Sequence, residues 1–279
     1  MGLKAIVKRT AWLAAHVPPL RLALIAWYEL RPLSAGVPHC NRDHPYDRAH
    51  GVRTSRPLPG YLLKPGDPLD APTTAYGPAQ PSIIRTAFAA IPDPQNCHFL
   101  DIGCGKGRPL FVATEFGFRA ITGVELSPTL AWIARRNATA FARAHRQQTH
   151  IDIITGDALA YELPGGNLVV FLYNTFGRPL IARLLTNIEA SVRATQRDLY
   201  IVYYNPTWAD VFDASSSLER RYAAQIRYEP GEIGYGPDES DAVVIWQNRG
   251  NPHPRPPGSA NSPVTIVTRG WRAEIASQA

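Results

Sequence analysis

The sequence predicts an α/β protein with a doubly wound, mostly parallel sheet, and three observations predict it. Short apolar runs of strand length alternate with longer segments of helical period between residues 81 and 206. One of those runs ends in Asp101 and passes through Gly103, Gly105 and Gly107 into an apolar-periodic segment. Two later runs, Ala120–Glu125 and Ile151–Ala158, also carry an acid at or near their ends. A chain of 279 residues can bury a full core, and a content of 45% hydrophobic and 19% charged residues excludes a disordered or fibrous protein.

The first 75 residues read as an extension to that domain. Lys4, Lys8 and Arg9 resemble a charged leader, but His16, Pro18, Pro19 and Arg21 interrupt the apolar run behind them. Ala11–Val17 and Leu20–Leu30 are too short to cross a membrane, which takes roughly 18–20 apolar residues. They read as two amphipathic helices, with Trp12, Leu13, Trp27 and Tyr28 packing on the domain, on a partner or on a membrane surface. Residues 1–60 hold nine Lys or Arg against three acids, which accounts for the whole net charge of +6. Such an arm suits nucleic acid, an anionic surface or an acidic protein. It contains no basic run and no interleaved aromatics, so a solvated face is the plainer reading. Residues 31–80 are rich in Pro, Gly, His and Arg with little periodicity.

The domain itself is expected at residues 76–248. Pro81–Ile91 reads as a helix, His98–Ile102 as the first strand and Pro109–Phe118 as the next helix. Ala120–Glu125, the helix Ser127–Ala144 and the strand Ile151–Ala158 follow. Leu168–Tyr173 is a fully apolar strand that runs into Asn174, Thr175, Phe176 and Gly177. After the helix Arg178–Ala194 comes a fifth strand, Leu199–Tyr204. Arg221–Tyr228 and Ala242–Gln247 are β-rich and flank a loop at Pro230–Asp241. Residues 249–279 read as a proline-rich linker and a tail, Val264–Ala279, that adds one strand or stays loose.

The glycine spacing decides what the loop binds. A dinucleotide fingerprint needs its third glycine three places after the second, where this chain has Arg108, and no phosphate-loop pattern is present. A carboxylate at Asp101 would repel a pyrophosphate, but it accepts hydrogen bonds from an ammonium group or from hydroxyls. The chemistry favours a cationic, unphosphorylated nucleoside. Asp101, Glu125 and Asp157 could each be a cap or turn residue alone; three acids at three successive strand ends make that reading hard to keep. Cys40, Cys97 and Cys104 have neither zinc nor disulfide spacing, so a reducing cytoplasm is the simplest home, and Cys104 reads as a small residue in a crowded turn.

The pattern D-x-G-x-G-x-G at 101–107, with its following acids, resembles the first motifs of class I S-adenosylmethionine-dependent methyltransferases. The resemblance implies a Rossmann-like, seven-strand sheet with a reversed last hairpin, and S-adenosylmethionine as cofactor. It implies a cofactor site at Asp101, Gly103, Cys104, Gly105 and Lys106. Glu125, with Leu126 beside it, would take the ribose hydroxyls, and Gly156, Asp157 and Ala158 the adenine end. A narrower resemblance, over residues 44–206, is to an uncharacterised bacterial family with a D-x-G-x-G-K-G-R loop. In that family a D-x-x-H-G-V-x-T element (here Asp47 to Thr54) and a Tyr-x-Pro element (here Tyr76 to Pro78) precede the loop, which here carries Lys106 and Arg108. A looser resemblance runs to Dot1-type lysine methyltransferases.

These likenesses imply an acceptor held over the first and fourth strands. Asn174, beside both cofactor and acceptor, would orient an amine, and Phe176 would stack on a base or on the aliphatic part of a lysine. Tyr76 would close over the methionine end, with His50 a secondary candidate for general base. Asn-Thr-Phe differs from the Asn/Asp-Pro-Pro-aromatic motif of nucleobase amino-methyltransferases, and no metal spacing occurs. The expectation is therefore N-methylation of an amine such as a protein lysine. A nucleic-acid methyltransferase and a non-catalytic binding module are the alternatives.

Overall fold

The structure, a computed structural model, describes residues 43–56, 76–145, 150–173, 175–236, 239–268 and 271–275. The two expected N-terminal helices, Cys40 and Asn174 lie outside them. Seven described strands form one sheet: β1 (His98–Ile102), β2 (Ala120–Glu125), β3 (Ile151–Thr155), β4 (Leu168–Tyr173), β5 (Leu199–Tyr204), β6 (Leu218–Arg227) and β7 (Ser240–Asn248). Their order is β3-β2-β1-β4-β5-β7-β6, with β1 to β5 parallel and β7 inserted antiparallel between β5 and β6. This is the doubly wound sheet with a reversed last hairpin that the sequence predicts. Strand order turns back between β1 and β4, where open sheets of this kind place their ligands.

The central strands are apolar throughout because both faces are covered. Phe99, Val169, Phe171 and Val202 pack beneath α2 (Pro81–Ala89), α3 (Arg108–Ala113) and α4 (Pro128–His145). Leu100, Ile102, Val170 and Leu172 pack on the other face against α5 (Arg178–Ala194) and α6 (Ala209–Asp213). By the two-residue alternation of a strand, Asp101 shares the α2–α4 face with Phe99. Phe88 of α2 meets Phe99, Phe116, Phe118 and Phe171 at centroid distances of 5.0–6.0 Å, and its burial contributes about 1.5–3 kcal/mol. Proline opens α2, α4 and α5, where its missing N–H costs nothing, and the Ser127 hydroxyl accepts the Leu130 N–H at 3.4 Å to start α4.

Several boundaries differ from expectation. The third strand stops at Thr155, opposite the last residue of β2, so Gly156–Ala158 lie in the turn beyond it. The helix expected to reach Phe118 ends at Ala113, and a 3-10 turn at Thr114–Phe116 closes on Gly117. The tail pairs with itself: β8 (Val264–Thr268) and β9 (Trp271–Ile275) form a separate two-stranded antiparallel sheet. The proline-rich 249–262 segment runs along β6. Ser259 C=O accepts the Ala223 N–H at 2.6 Å, and Arg221 donates to the carbonyls of His253 and Pro254 at 3.3 and 3.1 Å. Proline lacks a donor but keeps its acceptor, so such a segment can still be bonded from one side.

Helix α2 is tied at both ends by the last hairpin. The Ser82 N–H donates to Glu232 Oε1 at 3.0 Å in the β6–β7 connection, and Arg221 Nε donates to Ala90 C=O at 2.9 Å. Upstream, α1 (Pro45–His50) lies against α4, with His50 Nδ1 2.8 Å from His145 Nε2. No described helix is long and apolar enough to cross a membrane.

Candidate active site

Strand register brings the three acids to one edge of the sheet. Ile102 is paired with Val124 and Glu125 with Thr155, so Asp101, Glu125 and Asp157 leave three adjacent strands at their carboxyl ends. Between them lies the loop 103–107. Gly103, Gly105 and Gly107 all take positive φ, 75°, 56° and 91°, which suits glycine.

Two of these glycines are also roofed by side chains. A Cβ on Gly105 would fall 2.4 Å from the Tyr76 ring, and one on Gly103 would fall 2.4 Å from the Thr175 methyl group. Tyr76 is held in place because its hydroxyl donates to Thr54 C=O at 2.6 Å. Thr175 is held because its hydroxyl donates to Ile102 C=O at 2.8 Å. The sequence places Tyr76 near the loop, as found, but gives Thr175 no role.

Asp101 is buried, and burial, with the Glu125 charge added, pushes its carboxyl well above the usual carboxylate range. Its Oδ2 meets no hydrogen-bond partner among the described residues. Buried polar atoms are rarely left so, and an ammonium group beside the loop is the kind of donor that would satisfy this one. Glu125 accepts the Gly105 N–H through Oε2 and the Ser127 N–H through Oε1, both at 2.8 Å. Burial raises its pKa, and those N–H groups oppose the rise. Each oxygen keeps a lone pair for a further donor. Leu126 beside it is 44% exposed, an apolar surface fit for a flat ring. Asp157 is exposed and accepts the Leu159 N–H at 2.9 Å, while Ala158 is buried. The residues present therefore fit a cationic nucleoside.

The remaining expected residues fall in different places. The Cys104 thiol is buried against Gly123, and burial pushes it well above its usual pKa, as fits a small residue in a crowded turn. Phe176 is partly buried against the α5-side core. His50 faces His145 and Phe141 of α4, and its ring is not among the groups packed on the glycine loop. Lys106 sends its ammonium upstream, to the carbonyls of Ser55 and Arg56 at 2.6 and 2.7 Å, and burial lowers its pKa to about 8. No cluster of three metal-binding side chains occurs among the described residues.

A network that was not expected binds the upstream element to the loop. Arg108, 1% exposed, donates to Thr54 Oγ1 (2.6 Å), Ala79 C=O (2.9 Å), Ser55 Oγ (3.2 Å) and Asp47 Oδ1 (3.4 Å). Asp47 also accepts the N–H groups of Thr54 and Ser55 at 2.7 Å and the Thr54 hydroxyl at 2.5 Å. The D-x-x-H-G-V-x-T and K-G-R patterns are thus two halves of one structure, and their co-occurrence was the signal available in the sequence. Beside it, Lys106 floors a groove of about 620 Å³ between residues 51–56 and α4.

Residues 100–176 match the model of a family described as a methyltransferase domain. No curated protein matches the chain. Among solved structures, the chain is similar to an RNA methyltransferase from Salinibacter ruber in complex with S-adenosyl-L-homocysteine. That similarity is 18% identity over 64% of this chain and 99% of the other, with a TM-score of 0.42. It is also similar to magnesium protoporphyrin IX methyltransferase from Synechocystis PCC 6803 with bound S-adenosylmethionine. There the identity is 13% over 61% and 77% of the two chains, with a TM-score of 0.44.

Proposed function

We propose, from the premise that this chain is an S-adenosylmethionine-dependent methyltransferase, that it methylates an amine nitrogen, a protein lysine first among them. The observation that carries the cofactor end is the buried Asp101 oxygen without a partner beside the glycine loop. The bound cofactor supplies a methyl group already activated on a cationic sulfur. Asp101 accepts from its ammonium group, Glu125 from the ribose hydroxyls and Asp157 from the adenine amino group, with Leu126 against the ring. What remains for the protein is to align an electron pair and remove the proton that masks it.

Tyr76 and Phe176 give the acceptor side aromatic surfaces, which suit the aliphatic stem and the cationic head of a lysine. In this reading Asn174 orients the nitrogen, a role that rests on the sequence pattern Asn174-Thr175-Phe176. His50, turned toward His145, takes no part. A nitrogen carried by nucleic acid is the second reading, and the groove at Lys106, lined by Arg53, Arg56, Trp132 and Arg136, favours it.

The test is incubation of the full chain with methyl-tritiated S-adenosylmethionine and a cell lysate, followed by hydrolysis. Label recovered as methyl-lysine, protease-sensitive and absent with Asp101→Asn, is expected. RNase-sensitive label selects the second reading, and base-labile ester label overturns nitrogen methylation. Binding of S-adenosylhomocysteine without any transfer would leave only a binding module.

A further inference from the structure

We propose that the groove beside the glycine loop binds a single-stranded nucleic acid; its use in methyl transfer rests on the nitrogen-acceptor reading, but the binding itself stands apart. One wall is α4, where Trp132 is 55% exposed and the Arg136 guanidinium lies over its ring, 4.8 Å from the centroid. The opposite wall carries Arg53 and Arg56, and Lys106 lies at the base. Two carboxylates also line the groove, and both are engaged: Asp43 with Arg56 at 3.4 Å, and Asp47 with Arg108 and Thr54. Arg53 and Arg136 meet no acid among the described residues, so the groove keeps a positive surplus.

The chemistry discriminates between anionic partners. Cations alone would serve an acidic peptide as well as a phosphate chain. An exposed indole set among arginines adds a stacking face for an unpaired base, and that combination is how single strands are held without regard to sequence. A duplex offers no such base, which excludes it here. Along the chain the basic residues and aromatics do not interleave; folding brings them together from the 51–56 segment, the glycine loop and α4. Lys106, which lines the groove, also belongs to the glycine loop, so the groove adjoins that loop.

The experiment is fluorescence anisotropy of a labelled mixed-sequence single-stranded oligonucleotide with the full chain, over a salt series. Binding is expected, with log K falling against log salt by about 0.7 per phosphate neutralised. Trp132→Ala should weaken it roughly 5- to 160-fold, the range of one lost stacking contact. Arg53→Ala and Arg136→Ala should each reduce the salt slope by about 0.7. All three variants should keep the parental melting temperature and the parental affinity for S-adenosylhomocysteine, since none touches the loop. Absence of binding at low salt overturns the proposal. So does binding that all three variants retain in full, which would put the contact elsewhere. Displacement by polyglutamate at equal affinity would assign the groove to an acidic protein segment instead. Loss of S-adenosylhomocysteine binding alone would remove the methyl-transfer reading and leave the groove standing.

Discussion

Arg108→Met tests whether the upstream element positions the loop or only packs against it. The substitution keeps the aliphatic stem and deletes a guanidinium that donates to Thr54, Ala79, Ser55 and Asp47. Breaking a buried ion pair by removing one partner costs about 3–5 kcal/mol. Asp47 would still accept from Thr54 N–H, Thr54 hydroxyl and Ser55 N–H, so its charge is not stranded and the cost lies near the lower end, about 3 kcal/mol. That corresponds to a melting temperature lower by roughly 6–12 °C. Thr54 also holds the Tyr76 hydroxyl, so loosening it frees the ring that covers Gly105. Re-ordering one backbone residue costs about 1–2 kcal/mol, and affinity for S-adenosylhomocysteine should fall about tenfold. Differential scanning calorimetry and isothermal titration calorimetry measure the two effects, and Asp47→Asn with the double variant closes the cycle. A variant that melts low yet binds the nucleoside as the parent does would refute the positioning role. One that melts within about 2 °C of the parent would refute the network itself.

Two further outcomes follow from single groups. Gly105→Ala should cost about 1–2 kcal/mol for its left-handed backbone and should force the Tyr76 ring aside, so nucleoside affinity drops more than stability does. In a Tyr76→Ala background the affinity part of that loss should shrink, and titration showing an equal loss in both backgrounds would disprove the contact. His44 is buried and its pKa is lowered to about 4 by burial first and by Arg108 second. The unfolded chain takes up a proton there near pH 6.5 while the folded one does not, so stability falls as pH drops below that point, by about 2 kcal/mol at pH 5. Denaturant unfolding at pH 7 and pH 5 should show a loss larger in the parent than in His44→Asn by about that amount, the remainder coming from groups such as His98, whose pKa burial also lowers. An equal loss in both would refute the assignment.

The sheet was legible because central strands buried on both faces are written as apolar runs. The acids mark the strand ends less closely: Asp101 lies inside β1, Glu125 closes β2, and Asp157 follows β3 by two residues. The roof over the glycines was only half legible: Tyr76 stands in the Tyr-x-Pro element, but Thr175 reaches Gly103 from the exit of β4, a contact no local pattern records. Arg108 reads as part of a loop signature, although Thr54, Ser55 and Asp47 lie 54, 53 and 61 residues earlier and Ala79 lies 29 earlier, distances no local pattern spans. Strand and helix ends slipped for a plain reason. Where β2 stops at Glu125, β3 loses its neighbour and stops too, whatever the propensity of the residues beyond it. The 249–262 segment misled because proline content says a chain lacks donors, not that its carbonyls go unused.

The ties at the two ends of α2 bear on how this chain is made. The helix is complete before residue 91, yet the carboxylate that meets Ser82 is 150 positions further on, and the guanidinium that meets Ala90 is 131 further on. During synthesis α2 emerges long before either partner exists, with the apolar face of Ile83, Ile84 and Phe88 uncovered until the strands beneath it assemble. Contacts so distant in sequence slow folding, and nascent chains with exposed apolar helices are those that chaperones hold. A chain cut before residue 218 would keep every glycine of the loop and all three acids. It would still be expected to aggregate rather than bind a nucleoside.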